Sequence, residues 1–219
     1  MPETAHTLAP YHQHQFETVE QQKETSTLGM WAFLVQEVMF FGGLFGAYTV
    51  YRFLYPEAFA EASHHLDIYL GAANTAVLIC SSMTMALAVR AAQLGRQRGV
   101  VGFMIATIVL GGVFLGVKVH EYADKFHHHL VPGYNFHWEG PNGGPAQIFF
   151  GLYFAMTGMH ALHMIIGIAI MLWLIGRTLR GRFSAAYYTP IELFGLYWHF
   201  VDIVWIYLFP LLYLVRVHA

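Results

Sequence analysis

Six ionisable side chains lie within long apolar stretches of this sequence, where charge is costly. They are Glu37, His160, His163, Glu192, His199 and Asp202. A charged side chain at the centre of a bilayer costs about 2.5 to 3.5 kcal/mol on insertion scales, so such residues are paired, shielded or functional. Carboxylates and imidazoles can hold protons, and imidazole also binds haem and copper. Proton handling and metal binding are therefore the two chemistries to weigh.

The spacing of these residues places them on shared helical faces. Glu192, His199 and Asp202 are seven and three positions apart, which at 100° per residue puts them within an arc of about 80°. His160 and His163 are three positions apart and also share a face of their helix. We therefore expect both groups to face a common polar interior of a helical bundle.

Three histidines inside apolar segments raise the question of a haem or copper site. His160 and His163 lie on one helix and cannot occupy opposite faces of one haem, which leaves His199 to act with one of them. We favour the competing interpretation, in which all three imidazoles are buried hydrogen-bonding partners of the carboxylates. The histidine run at 127–129 carries no ligand geometry, because adjacent residues on a helix point in different directions. The sequence therefore predicts no metal site.

Glu37 is the only acidic or basic side chain inside the first apolar segment. Because burial disfavours the charged form of a carboxyl group, we expect Glu37 to be protonated or hydrogen-bonded. A proton-handling role and a packing role both satisfy this expectation, and the sequence leaves the two open.

The elements that must position these residues are transmembrane helices. The chain is 57% hydrophobic and 11% charged, against about 25% charged in soluble domains. About 20 apolar residues span a hydrocarbon core, and in lipid each span must satisfy its own backbone, as a helix does. The sequence predicts an all-α integral membrane bundle of five helices. They cover residues 28–51, 68–89, 100–117, 146–176 and 187–215, within a domain at 28–217 that follows a polar tail at 1–27.

Other features narrow the class of protein and the helix packing. The formal net charge is −2 and no basic stripe occurs, so nucleic acid is not a predicted partner. A single cysteine, Cys80, allows no disulfide within the chain. Glycine pairs with GxxxG spacing occur at 42 and 46 and at 112 and 116, and we expect both to be positions where helices pack closely.

Five motifs, one per predicted span, carry a resemblance to a known family. They are EVMFFGGLFGAY at 37–48, NTAVLICSSMTM at 74–85, the Glu-Tyr pair at 121–122, TGMHALHMIIG at 157–167 and YWHFVDIVWIYLFP at 197–210. In type and order these motifs resemble those of cytochrome c oxidase subunit III.

The resemblance implies a non-catalytic subunit of a haem-copper oxidase in a bacterial inner membrane, where aerobic respiration takes place. Such a subunit holds no cofactor itself, packs against subunit I beside subunit II, binds phospholipid and supports proton uptake, while its partner subunits hold haem and copper. Glu37 resembles the family's membrane-buried carboxylate and is our proton-handling candidate. The buried polar structural positions are Asn74, Glu121, His160, His163, Glu192, His199 and Asp202.

The chain departs from longer family members in two respects. It lacks the first two of their seven helices, on which their lipid cleft depends, so specific lipid sites stay open. Lys118 stands where the family often has glutamine. Three other assignments remain: subunit III of a quinol oxidase, a homologue associated with nitric oxide reductase, and a membrane anchor that binds haem or quinone.

The distribution of basic residues predicts the orientation. Seven Lys and Arg share the side of the N-terminus, namely Lys23, Arg90, Arg96, Arg98, Arg177, Arg180 and Arg182. Four belong to the other side, namely Arg52, Lys118, Lys125 and Arg216. By the positive-inside rule the N-terminus is cytoplasmic and the C-terminus is outside.

Cysteine labelling tests this orientation on a Cys80→Ser background. A membrane-impermeant thiol reagent applied to intact cells should label His128→Cys, in the predicted outer loop, and should leave Gln97→Cys unlabelled until the cells are opened. Labelling of Gln97→Cys alone in intact cells would mean that the orientation is reversed.

Overall fold

The computed structural model describes residues 11–133, 135–139 and 141–215, and these fold into helices. In chain order the helices are α1 (Val19–Leu54), α2 (Pro56–Ser63), α3 (Ile68–Gln93), α4 (Gln97–His127), α5 (Gly143–Leu179) and α6 (Thr189–Tyr213). Five of them are long and apolar enough to cross a membrane, namely α1, α3, α4, α5 and α6. The predicted all-α fold with five spans is confirmed.

Two helices reach further than their apolar segments. Helix α1 begins at Val19, inside the stretch interpreted as a polar tail, because the Thr18 side chain caps it by accepting from the Gln21 N–H at 3.1 Å. Helix α4 continues to His127, past the predicted end at 117. Helical backbone therefore carries Lys118 and Glu121, which the hydropathy pattern had placed in a loop.

Helix α2 was not predicted, because its eight residues are too few to give an apolar span. Pro56 occupies the first turn, where its missing N–H costs no hydrogen bond. The Phe59 side chain is fully buried, and its ring meets that of Phe149 edge to face at 5.4 Å between centroids. This contact anchors the connection between α1 and α3 on α5.

Helix α6 lies at the centre of the bundle, in contact with α1, α3 and α5. Its fully buried side chains are Ile191, Trp198, Trp205, Leu208, Leu212 and Tyr213. Helix α4 completes the bundle by packing against α3 and α5. Helices α3 and α4 are joined by a tight turn at Gly95, whose φ of 69° is a left-handed conformation that favours glycine.

The four glycines of the two GxxxG pairs are not close-packing positions within this chain. A Cβ atom added at any of them would meet no atom within 4 Å outside its own local backbone. The expectation was wrong because GxxxG spacing arises by chance in glycine-rich helices, and only burial identifies the face that packs.

Other glycines make the close approaches. A Cβ on Gly167 would lie 2.8 Å from the ring atom Cζ3 of Trp198, and one on Gly195 would lie 2.9 Å from Cγ2 of Val89. Helix α6 therefore approaches α5 at Gly167 and α3 at Gly195, and the indole of Trp198 fills the space that Gly167 leaves.

We predict that Gly167→Ala destabilises the protein by about 1 to 3 kcal/mol, because the added methyl group must displace a fully buried indole. Gly42→Ala is the matched control, and it should leave stability unchanged or raise it slightly, since alanine favours a helix over glycine. Thermal unfolding in detergent measures both variants. Equal melting temperatures for the two would contradict the packing described.

Candidate functional site

Glu37 and His163 form a buried pair between α1 and α5. Oε2 of Glu37 lies 3.2 Å from Nε2 of His163, and Glu37 is 8% exposed. The Tyr197 hydroxyl on α6 donates to the backbone carbonyl of His163 at 2.9 Å, and the Phe41 ring lies 5.5 Å from the imidazole. Three helices and two aromatic rings thus hold this pair away from lipid.

The contacts of His163 define the hydrogen-bond donors and acceptors of the pair. Nδ1 lies 2.9 Å from the carbonyl oxygen of Met159, which can only accept, so Nδ1 carries a proton. Nε2 and the Glu37 carboxylate would both be acceptors without a further proton between them. A proton placed between Oε2 of Glu37 and Nε2 of His163 would give each of these atoms a hydrogen-bond partner, so the geometry suits a group that holds a proton.

His160 does not form the hydrogen bond to a carboxylate that was expected for it. Its ring is fully buried, 5.3 Å from the Phe114 ring and 5.2 Å from the Trp205 ring between centroids. Neither ring nitrogen has a hydrogen-bond partner among the described residues. Among the described residues, His160 therefore contacts aromatic faces and no carboxylate. Of the pairings expected between histidines and acids, the described part of the chain shows only that of His163 with Glu37.

Glu192, His199 and Asp202 form a polar stripe along one face of α6. The part of this stripe that lies deeper in the bundle faces α3. Nδ1 of His199 lies 2.6 Å from the hydroxyl of Ser82. Asp202 is 3% exposed, and neither of its carboxylate oxygens has a hydrogen-bond partner among the described residues. Glu192, in the first turn of α6, is only half-buried, so the stripe extends from the protein surface into the bundle.

Two tryptophans extend the contact between α3 and α6. The Trp198 indole donates to the Ser81 hydroxyl at 3.1 Å, and the Trp205 indole donates to the Thr75 hydroxyl at 3.0 Å. Asn74 instead reaches α4, where its side-chain amide donates to the Phe114 carbonyl at 3.3 Å. Asn74 therefore lies buried between α3 and α4.

A second buried cluster joins α4 to α6. Nζ of Lys118 donates to Oε2 of Glu121 at 2.9 Å and to the Tyr213 hydroxyl at 2.6 Å, and that hydroxyl donates to Oε1 of Glu121 at 2.5 Å. Nζ also lies 4.5 Å from the centroid of the Trp205 ring, a cation–π distance. Lys118 and Glu121 are each 5% exposed, so every charge in the cluster is compensated by contact.

Lys118 and Tyr213 are not among the buried polar residues that the sequence predicts. The end of the apolar run at Val117 predicts a loop at Lys118, although the spacing of three to Glu121 fits an ion pair on one helical face. Tyr213 lies on a different helix and carried no signal, since only folding brings it to Glu121.

Among the residues described, no three or more His, Cys, Asp or Glu side chains are arranged so that they could hold a metal ion. The histidines at 127 and 128 lie at the end of α4, and His129 follows with a positive φ of 54°.

Comparison with known proteins gives a consistent result. The family profile for cytochrome c oxidase subunit III matches residues 9–217. The cytochrome c oxidase subunit 3 of Thermostichus vulcanus is 35% identical over 188 residues, which is 85% of this chain and 86% of that protein. The subunit of the same name from Corynebacterium diphtheriae is 32% identical over 192 residues, 87% of this chain and 88% of that protein. That of Synechocystis is 33% identical over 187 residues, covering 85% and 74%.

We predict that Lys118→Met destabilises the protein by about 3 to 5 kcal/mol, because it leaves Glu121 buried without its cation. Adding Glu121→Gln should recover at least half of the loss, since the second change removes the uncompensated charge. Arg90→Met, at an exposed cation near the end of α3, is the control and should change little. Thermal unfolding in detergent measures the stability of the wild type and of the three variants. A double variant no more stable than Lys118→Met would contradict the buried ion pair.

Proposed function

This chain belongs to the cytochrome c oxidase subunit III family, and from that premise we propose how it acts. It is subunit III of a haem-copper oxidase, an integral membrane protein that associates with other oxidase subunits. The alternative of a haem- or quinone-binding anchor is not favoured. Its proposed task is to stabilise subunit I and to support proton uptake while the complex reduces oxygen to water.

The redox centres belong, in this proposal, to the partner subunits. Both ring nitrogens of His163 are already engaged, by Glu37 and by the Met159 carbonyl. Nδ1 of His199 is engaged by Ser82. These contacts support a structural or proton-holding use of the imidazoles, with haem and copper held by subunits I and II.

The observation that carries the proton role is the contact of 3.2 Å between Glu37 and His163. A pair that holds one exchangeable proton inside the bilayer can accept a proton at one group as it releases one from the other. In the predicted orientation Glu37 lies in the cytoplasmic half of the apolar segment at 28–51, on the side from which oxidases take up protons. Glu37 is thereby proposed to supply protons to the catalytic partner.

The proposed setting is the bacterial inner membrane, with subunit I as the main partner, subunit II nearby and phospholipid around the bundle. Support comes from α1, whose outer face carries exposed apolar side chains such as Val35, Met39 and Phe53. The proposed orientation places the N-terminus in the cytoplasm.

Composition of the purified complex tests the assignment. A tagged chain isolated from its native membrane in mild detergent should bring subunits I and II with it, and the complex should show the absorbance of haem. The separated chain should show no haem band in a reduced-minus-oxidised spectrum. A haem band from the separated chain would overturn the proposal that partner subunits hold the redox centres.

We predict that Glu37→Gln assembles normally but turns over more slowly or loses activity sooner, because glutamine keeps the shape of the side chain and lacks an exchangeable proton. The defect should grow as pH rises, since protons become scarce. Oxygen consumption by the purified complex from about pH 6 to about pH 9 measures it.

Glu24→Gln, the same change at an exposed position of α1, is the matched control and should behave as wild type. Glu37→Asp should restore part of the activity, because it restores a titratable carboxyl group. If Glu37→Gln matches wild type in rate and lifetime across that range, Glu37 is a packing residue and the proton role is wrong.

A further inference from the structure

A pocket lies at the end of the bundle where α5 ends and α6 begins, beside the segment that precedes α1. Its volume is about 460 Å³, within the range of about 300 to 1,000 Å³ that is typical of small-molecule sites. Two arginines line it, Arg177 and Arg182, together with the rings of Tyr11, Trp173 and Tyr187. We call it the α5/α6 pocket.

The turn that ends α5 brings the two arginines to the same pocket. The N–H of Arg182 donates to the carbonyl of Arg177 at 3.2 Å, and the N–H of Gly181 donates to the carbonyl of Thr178 at 2.9 Å. Gly181 has a φ of 69°, the left-handed conformation with which such a turn closes a helix. These two carbonyls of α5 are thereby engaged within the backbone, and the guanidinium groups supply the charge of the pocket.

The positive charge of the pocket has no counterpart among the described residues. Neither arginine forms an ion pair there, and no acidic side chain of the described part of the chain lines the pocket. Nε of Arg177 is buried without an acceptor among these residues, and both ring nitrogens of His12, which also lines the pocket, are buried without a partner. Because buried polar groups are nearly always satisfied, these atoms indicate a missing partner. That partner must accept hydrogen bonds, since a guanidinium group only donates them.

Aromatic rings form a wall beside the two cations. Tyr11 and Tyr187 stack at 4.5 Å between centroids, with 9° between their ring planes, and this stack holds the segment before α1 against the turn before α6. The Arg177 guanidinium lies 5.1 Å from the centroid of the Trp173 ring, a cation–π distance. A ligand for this pocket therefore needs an anionic head and a flat apolar part.

We propose that the α5/α6 pocket binds a water-soluble phosphate monoester that carries a ring, on the side of the membrane where the N-terminus lies. Arg177 and Arg182 meet the phosphate oxygens, and the ring of the ligand lies against the aromatic wall. This inference goes beyond the proposed function, because the pocket shares no lining residue with the pair of Glu37 and His163 and takes no part in proton transfer.

Charge and position select this ligand. A phosphate monoester carries a charge of about −1.5 to −2 at pH 7, which matches two guanidinium groups, and its oxygens suit their fork of donors. A carboxylate, or the phosphodiester of a membrane lipid, carries a single negative charge and would leave one arginine uncompensated. Most of the lining residues, Arg177 and Arg182 included, lie outside the five apolar segments. A ligand dissolved in water therefore reaches the pocket without crossing hydrocarbon.

Titration calorimetry on the purified oxidase complex tests the site, with phenyl phosphate as the probe. Wild type should bind it saturably, and Arg177→Gln and Arg182→Gln should each weaken binding about tenfold, the effect of losing one charge-assisted contact. Arg180→Gln is the matched control, because Arg180 lies in the same turn but does not line the pocket, and it should bind as wild type does. Absence of saturable binding, or equal affinity in all four proteins, would overturn the proposal.

Arginine modification in the wild-type complex gives a result that does not depend on how the variants fold. Phenyl phosphate should protect Arg177 and Arg182 from phenylglyoxal and leave Arg180 reactive, as located by mass spectrometry. Modification of all three at the rates seen without ligand would overturn the proposal. Dioleoylphosphatidic acid in micelles, a lipid with the same phosphate monoester, should give weaker protection. If it protects both arginines at lower concentration than phenyl phosphate does, the ligand is a lipid and the proposal is wrong.

Discussion

The absence of hydrogen-bonding partners in hydrocarbon is the constraint on which the rest of this structure depends. It forces the backbone into helices, and it makes every polar side chain inside the bundle find a partner on a neighbouring helix or pay for its burial. Glu37 meets His163 and Lys118 meets Glu121 and Tyr213. Both clusters lie where two or three helices come together.

Helix α6 joins the other helices through hydrogen bonds. Its residues bond to α3 through Trp198, His199 and Trp205, to α4 through Tyr213, and to α5 through Tyr197. His160 and Asp202 are among the side chains that depart from the pattern, since they are buried without partners among the described residues. The Tyr48 hydroxyl of α1 also donates to the Leu211 carbonyl of α6. Helix α1 is nevertheless the least buried of the five spans, and it carries the proton-handling candidate.

Sequence alone predicted the five spans, because a helix that crosses the bilayer needs a long run of apolar residues and such runs are visible in the sequence. It also predicted that Glu37 lies within one of these spans. It could not place the end of α4, because Lys118 ends the apolar run while the helix continues through a buried ion pair. It also could not choose between neighbouring glycines. A Cβ atom added at Gly111 would lie 3.3 Å from the Trp198 ring, whereas one added at Gly112 would meet nothing within 4 Å. Hydrogen-bond partners on another helix, such as Tyr213 and Ser82, cannot be predicted from the spacing of residues within one helix.

The central claim is that Glu37 and His163 act as one unit that holds a single proton. A double-mutant cycle in the oxidase complex tests it most directly, with Glu37→Gln, His163→Gln and the two together assayed for oxygen consumption and thermal stability. The account predicts that the double variant is no worse than the poorer single variant, because either change already breaks the unit. Effects that add, to within about 0.5 kcal/mol, would contradict it.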